Sequence, residues 1–186
     1  FHNRRPTTLT LRKTWPAGSQ AGHTATVTSL GFINNATSGL STATAGGNTT
    51  AGTPVTVYVG ESGTISEVLG GGAIAADYAA DLSCTGTNGD LVGNTLTITQ
   101  SIGSALVCTY TNTKLPKITL TKISNGGVGA FSFTGTNGFT NQTITTVTAG
   151  TGVAGATQTL AAVSTATTIT ETLPAGYVLS AVNCTG

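Results

Sequence analysis

Charge is what this sequence has least of. Charged residues make up only 7% of the 186 residues, and the net charge is +1. No basic stretch exists to neutralise a run of phosphates, which excludes a nucleic-acid partner. No apolar run approaches the roughly 18 residues that a membrane-spanning helix needs, so no membrane span is expected. No signal-peptide pattern is visible and the first residue is not Met, so the sequence reads as a mature or excised segment. Cysteine is scarce too: Cys84, Cys108 and Cys184 form no CxxC pair, and His2 and His23 lie far from all three in sequence. A zinc site therefore has no support, and no cofactor is expected.

What fills the chain is Thr, Gly, Ala and Val. Thr and Val suit a pleated, half-buried surface, whereas Gly and Thr in this abundance penalise helix. Disorder is not expected, because disordered chains are usually charged and lack regularly spaced aliphatics. Period-2 stretches bounded by Gly and Asn read as strands, among them 55–59, 95–99 and 130–134. Asn88-Gly89, Asn125-Gly126 and Asn137-Gly138 read as tight turns. The fold class is all-β.

An internal repeat organises these strands. Thr8-Leu9-Thr10-Leu11-Arg12-Lys13 returns as Ile118-Thr119-Leu120-Thr121-Lys122. Thr64-Ile65-Ser66-Glu67-Val68-Leu69 returns as Thr168-Ile169-Thr170-Glu171-Thr172-Leu173. The stretch from Tyr78 to Cys84-Thr85-Gly86 returns as Tyr177 to Cys184-Thr185-Gly186. Two tandem β-sandwich modules are predicted, 1–114 and 115–186, with the boundary near Lys114-Leu115-Pro116, where Pro interrupts pairing. The first copy continues through 87–112 after its Cys-Thr-Gly, and the second has no equivalent of this stretch. The second module is thus expected to lack its closing strands, and the chain reads as a cut from a longer array.

Alternation also places polar groups on the aliphatic face. Leu9, Leu11 and Lys13 share one parity, as do Ile65, Glu67 and Leu69, and Leu106, Cys108, Tyr110 and Asn112. The second copy repeats the pattern with Ile118, Leu120 and Lys122, and with Ile169, Glu171 and Leu173. Buried charge is costly unless paired or neutralised, so these groups should meet. The bland alternative is that Lys13 and Lys122 sit near strand ends and reach water, with Glu67 and Glu171 as ordinary ion-pair partners.

The first-strand Lys, the Glu in Thr170-Glu171-Thr172-Leu173-Pro174-Ala175-Gly176-Tyr177 and the last-strand Asn carry a family resemblance. Together they resemble the prealbumin-like, collagen-adhesin B-type (SpaA-like) repeat domains of bacterial surface proteins and pili. The resemblance implies an extracellular, structural module and no activity on an external substrate. It also implies an intramolecular isopeptide bond, with Lys13 as nucleophile, Asn112 as electrophile and Glu67 as proton shuttle. Burial would favour a neutral amine beside a protonated acid. The second copy departs from the pattern, because its Asn is missing.

In an oxidising compartment Cys84 and Cys108 fit a disulfide, which leaves Cys184 to pair outside the sequence or with another chain. Trp15 reads as packing at a sandwich edge. Partners are expected to be adjacent repeats or other copies, arranged head to tail. Phe1, His2 and Asn3, continuing to Leu9 and Leu11, are the expected donor strand for the next subunit's open second module. The alternative function is a ligand-binding adhesin module for carbohydrate, a host surface or ice.

Overall fold

A computed structural model describes residues 4–185. The chain divides between Lys114 and Leu115 into two compact units. In the first, the strands in chain order are β1 (Pro6–Trp15), β2 (Thr24–Leu30), β3 (Thr37–Thr42), β4 (Asn48–Ala51), β5 (Val55–Tyr58) and β6 (Ser62–Gly70), followed by β7 (Tyr78–Thr85), β8 (Gly89–Val92), β9 (Thr95–Ile98) and β10 (Leu106–Lys114). They form two sheets. One runs β4-β1-β10-β7, with β5 also on β1, and the other runs β3-β2-β6-β9-β8. The fold class is all-β, as the Thr- and Val-rich alternation predicts.

The alternation of β1 sets the core. Leu9, Leu11, Lys13 and Trp15 are buried, while between them Arg12 is exposed and Thr10 and Thr14 are half-buried. Leu9 and Leu11 meet Val27 and Ile65 of the opposite sheet, with Leu96, Ile98, Leu106 and Cys108 completing the cluster. Each fully buried aliphatic contributes on the order of 2 kcal/mol through area removed from water. β10 lies parallel to β1, with Leu11 opposite Cys108 and Lys13 opposite Tyr110. It lies antiparallel to β7, with Cys108 opposite Cys84. The closing strand is therefore central, held on both edges.

The second unit has β11 (Lys117–Ile118), β12 (Thr121–Lys122), β13 (Ala130–Gly135), β14 (Gln142–Thr145), β15 (Val153–Ala154), β16 (Gln158–Thr159) and β17 (Ile169–Thr172). It copies the first unit's register. Lys13 faces Thr50 and Leu9 faces Val55. In the same way Lys122 faces Val153 and Ile118 faces Gln158. Gly52 N–H donates to Leu11 O at 3.0 Å, and Gly155 N–H donates to Leu120 O at 2.8 Å. Across the sandwich, β2 lies between β3 and β6 with Val27 opposite Glu67. Likewise β13 lies between β14 and β17 with Phe133 opposite Glu171. The core here is more aromatic: Phe131, Phe133 and Phe139 with Ile144 and Leu160.

Two turn expectations differ in outcome. Asn137-Gly138 takes positive φ at both residues (54° and 77°), as a tight Asn-Gly turn requires. Asn88-Gly89 does not, since Gly89 opens β8 and Asn88 is buried. Asn88 acts as an anchor instead: its Oδ1 accepts from Gly103 N–H at 2.8 Å and its Nδ2 donates to Gly103 O at 3.3 Å. Fixing the loop before β10 outweighs the dipeptide's turn preference.

Candidate functional site

Three side chains that the strand parity puts on one face converge at one end of the first unit's core. Lys13 is fully buried, and its Nζ lies 3.0 Å from Glu67 Oε1. Asn112 Nδ2 donates to Glu67 Oε2 at 2.8 Å. One carboxyl group therefore bridges the amine of the first strand and the amide of the last. The remaining amine contacts are longer, to Thr14 O at 3.1 Å and Tyr110 O at 3.4 Å. Asn112 is itself 1% exposed, and its Oδ1 accepts no hydrogen bond among the described residues.

The geometry follows from register. Lys13 and Tyr110 are neighbours across the parallel β1–β10 pair, and Asn112 is two residues further along the same face. Glu67 reaches the site from β6 in the other sheet. Burial lowers the Lys13 pKa from its ordinary 10.5, and the carboxylate of Glu67 opposes that shift without cancelling it. The result is an amine that loses its proton more readily than a solvated lysine. The reading of Lys13 as a strand-end lysine reaching water is overturned: its side chain points inward to Glu67 of the facing sheet and keeps no exposed surface.

Sequence reasoning missed the ring beneath this amine. Trp15, expected at a sandwich edge, is 1% exposed, and Lys13 Nζ sits 4.1 Å from its ring centroid. The signal was present, since Trp15 shares the parity of Lys13. Tyr78 packs edge-on against Trp15 with centroids 5.4 Å apart, and its hydroxyl lies 2.6 Å from His23 Nδ1. Nothing in the sequence pattern links 23 to 78.

The second unit holds a partial copy. Lys122 Nζ lies 2.6 Å from Glu171 Oε1, with the two side chains 14% and 11% exposed. Here the ring is supplied from the opposite sheet: Phe131 centres 4.4 Å from Lys122 Nζ. Ser124 occupies the place of Trp15, two residues past the lysine, and Phe131 that of Ala25. The aromatic has changed strands while keeping its position under the amine. No residue of the described second unit takes the place of Asn112.

Cys84 and Cys108 form the expected disulfide, joining β7 to β10. Cys184 is free and exposed. Of the expected donor strand, Phe1, His2 and Asn3 lie outside the described residues. Leu9 and Leu11 are used differently from that expectation. They form the fully buried centre of the first unit's own core, where burial of both aliphatics outweighs what an exposed arm would gain. Among the described residues no helix is long and apolar enough to cross a membrane.

Comparison with known sequences adds one finding. Residues 118–186 match a family of SpaA-type domains described as a prealbumin-like fold domain. No curated protein and no solved structure matches the chain.

Proposed function

We propose that the chain is a structural repeat segment of an extracellular bacterial surface fibre, pilus or adhesin stalk, a reading supported by the match of residues 118–186 to the prealbumin-like fold domain family. Each unit is a β-sandwich spacer with no external substrate, and its neighbours are adjacent repeats or other copies. The observation that carries this reading is the buried Lys13–Glu67–Asn112 cluster, which ties the first strand to the last through the facing sheet. The disulfide across β7 and β10 supports it, since such bonds persist in oxidising, extracellular settings.

In this reading the cluster closes covalently. The neutral Lys13 Nζ attacks Asn112 Cγ, a C–N bond forms, and Nδ2 departs as ammonia. Glu67, in contact with both nitrogens, carries the proton from the amine to the leaving group. β1 and β10 become cross-linked near their ends, so force applied along the chain meets a covalent bond before the core. The second unit, which has the lysine and the glutamate but not the amide, is finished by a strand from outside its described residues.

Intact mass of the folded chain tests this. The expected mass is one ammonia below the sequence mass, after allowance for the disulfide, with peptides containing Lys13 and Asn112 linked. Glu67→Ala should restore the full mass. An unshifted mass in the folded wild type would leave only an ion pair and remove the cross-linked stalk.

A further inference from the structure

The three Asn-Gly pairs of the sequence end in different surroundings. Asn88 is 1% exposed, its Nδ2 donates to Thr7 Oγ1, and its Oδ1 accepts from Gly103 N–H at 2.8 Å. Asn137 is held just as firmly. Its Nδ2 donates to Ala162 O at 3.1 Å and to Thr167 Oγ1 at 3.0 Å, and its Oδ1 accepts from Ala162 N–H at 3.0 Å. Asn125 is exposed, and its side chain makes no hydrogen bond among the described residues. The glycines differ in the same way. A Cβ at Gly89 would meet Thr97 O at 2.8 Å, and one at Gly138 would meet Ala161 Cβ at 2.8 Å. At Gly126 it would meet nothing within 4 Å.

An Asn followed by Gly carries an electrophile within reach of a nucleophile, because the next backbone nitrogen can close a five-membered ring on the side-chain Cγ. Closure needs a carboxamide free to turn toward its own backbone and a following peptide free to rotate, which Gly hinders least. Hydrogen bonds that hold the carboxamide elsewhere must open first. Only Asn125-Gly126 meets both needs in the folded chain.

We propose that Asn125 is a site of spontaneous conversion to aspartate and isoaspartate, while the fold protects Asn88 and Asn137. Gly126 N attacks Asn125 Cγ, a C–N bond forms and the Cγ–Nδ2 bond breaks. Nδ2 leaves as ammonia, taking the proton of the Gly126 N–H. Water then opens the succinimide ring at either carbonyl, and it is the one co-reactant. Opening on one side gives aspartate at 125. Opening on the other gives isoaspartate, in which the backbone runs through the former side-chain carboxyl carbon.

The two units differ at this turn. Counted from Lys13 and Lys122, Pro16-Ala17 stands in the first unit where Asn125-Gly126 stands in the second. Pro16 has no carboxamide, so the first unit's copy of the turn cannot react. In the second unit the change falls between β12 and β13, inside the turn that Ser124 Oγ closes by donating to Gly127 O at 2.8 Å. Isoaspartate lengthens the backbone there by one atom, and both products add a negative charge.

The test is ageing of the whole folded chain in mildly alkaline buffer, followed by peptide mapping with mass spectrometry. The peptide containing Asn125 should gain one mass unit and separate into aspartate and isoaspartate forms, through a minor species lighter by one ammonia. Asn88 and Asn137 should react on the order of tenfold more slowly or less, since two or more hydrogen bonds must open first. The same ageing of reduced chain in concentrated guanidinium chloride should bring the three rates together. An Asn125 that stays intact, equal rates at the three sites in the folded chain, or an unchanged order of rates in guanidinium chloride overturns the proposal. The stalk reading is tested independently, because the ammonia lost between Lys13 and Asn112 links two peptides and that lost at Asn125 links none.

Discussion

Residues Tyr78–Thr85 and 177–185 carry one pattern, Tyr to Cys-Thr, and have different structures. The first is a strand disulfide-bonded to its neighbour. The second has no strand, and its aliphatics face solvent. Their propensities are alike, so propensity does not decide. The difference lies in β10, which supplies the first segment with a ladder, a thiol and a buried face. A strand at a sheet edge is a property of the pair that contains it. The same holds for the two lysines: with β10 in place Lys13 is fully buried, and without an equivalent Lys122 keeps 14% of its side-chain surface.

Removing the glutamates should break this symmetry most strongly. Glu67→Ala strands a buried amine with no carboxylate and is expected to cost about 3–5 kcal/mol of first-unit stability. Glu171→Ala acts on a pair whose side chains keep 14% and 11% of their surface, and its cost should be smaller, about 1–3 kcal/mol. Urea unfolding followed by a probe in each unit separates the two, Trp15 fluorescence serving for the first. Equal losses would mean that β10 does not set the burial of the site.

The disulfide comes next. Replacing Cys84 and Cys108 by Ser frees a loop with a sequence separation of 24 and should cost about 3 kcal/mol in the chain-entropy account. Cys184→Ser should leave the free chain's unfolding midpoint unchanged, since that thiol is exposed and unbonded.

A smaller effect is expected from pH. In Asn112→Ala no amide can form, so Lys13 still titrates. Its folded pKa lies below the ordinary 10.5, first because of burial. Between those two values the unfolded chain binds more protons than the native one, so stability should rise with pH across that window. The slope cannot exceed about 1.4 kcal/mol per pH unit for one group. Tyr78, pushed up from 10.0 by burial, contributes with the opposite sign above pH 10, so the rise is best read below that. Adding Lys13→Met should flatten the curve, and a curve that keeps its slope would assign the dependence elsewhere.

Much of this was legible in alternation. Period 2 put Lys13, Glu67 and Asn112 on the aliphatic side, which is where the structure brings them together, and the repeat marked Lys122 and Glu171 as their counterparts. The Cys84–Cys108 bond followed from composition and position. What alternation cannot carry is which strands are neighbours. The parallel β1–β10 contact joins residues about a hundred apart, and the His23–Tyr78 contact depends on it only indirectly. Asn88 misled because a dipeptide signal is local while its side chain answers a distant loop. Glu61 passed unnoticed: its carboxylate is buried, accepts from Tyr58 N–H at 3.2 Å and lies 3.7 Å from Arg4. Its neighbours in sequence gave no parity that would place it inside.

The smallest expected effect is the one that sharpens the comparison furthest. Leu82 and Val182 occupy matching positions, each two residues before the cysteine. Leu82 packs partly buried against the first core, so Leu82→Thr should cost about 1–2 kcal/mol. Val182 is 73% exposed, so Val182→Thr in the free chain should change stability by no more than about 0.5 kcal/mol. At Val182 Thr keeps the β-branched shape, so strand propensity there is nearly constant. The measurement is the urea midpoint of each unit, for wild type, Leu82→Thr and Val182→Thr. Equal costs at the two positions would mean that pairing with β10 is not what gives Leu82 its buried face, and the contrast between the two segments would then need another cause.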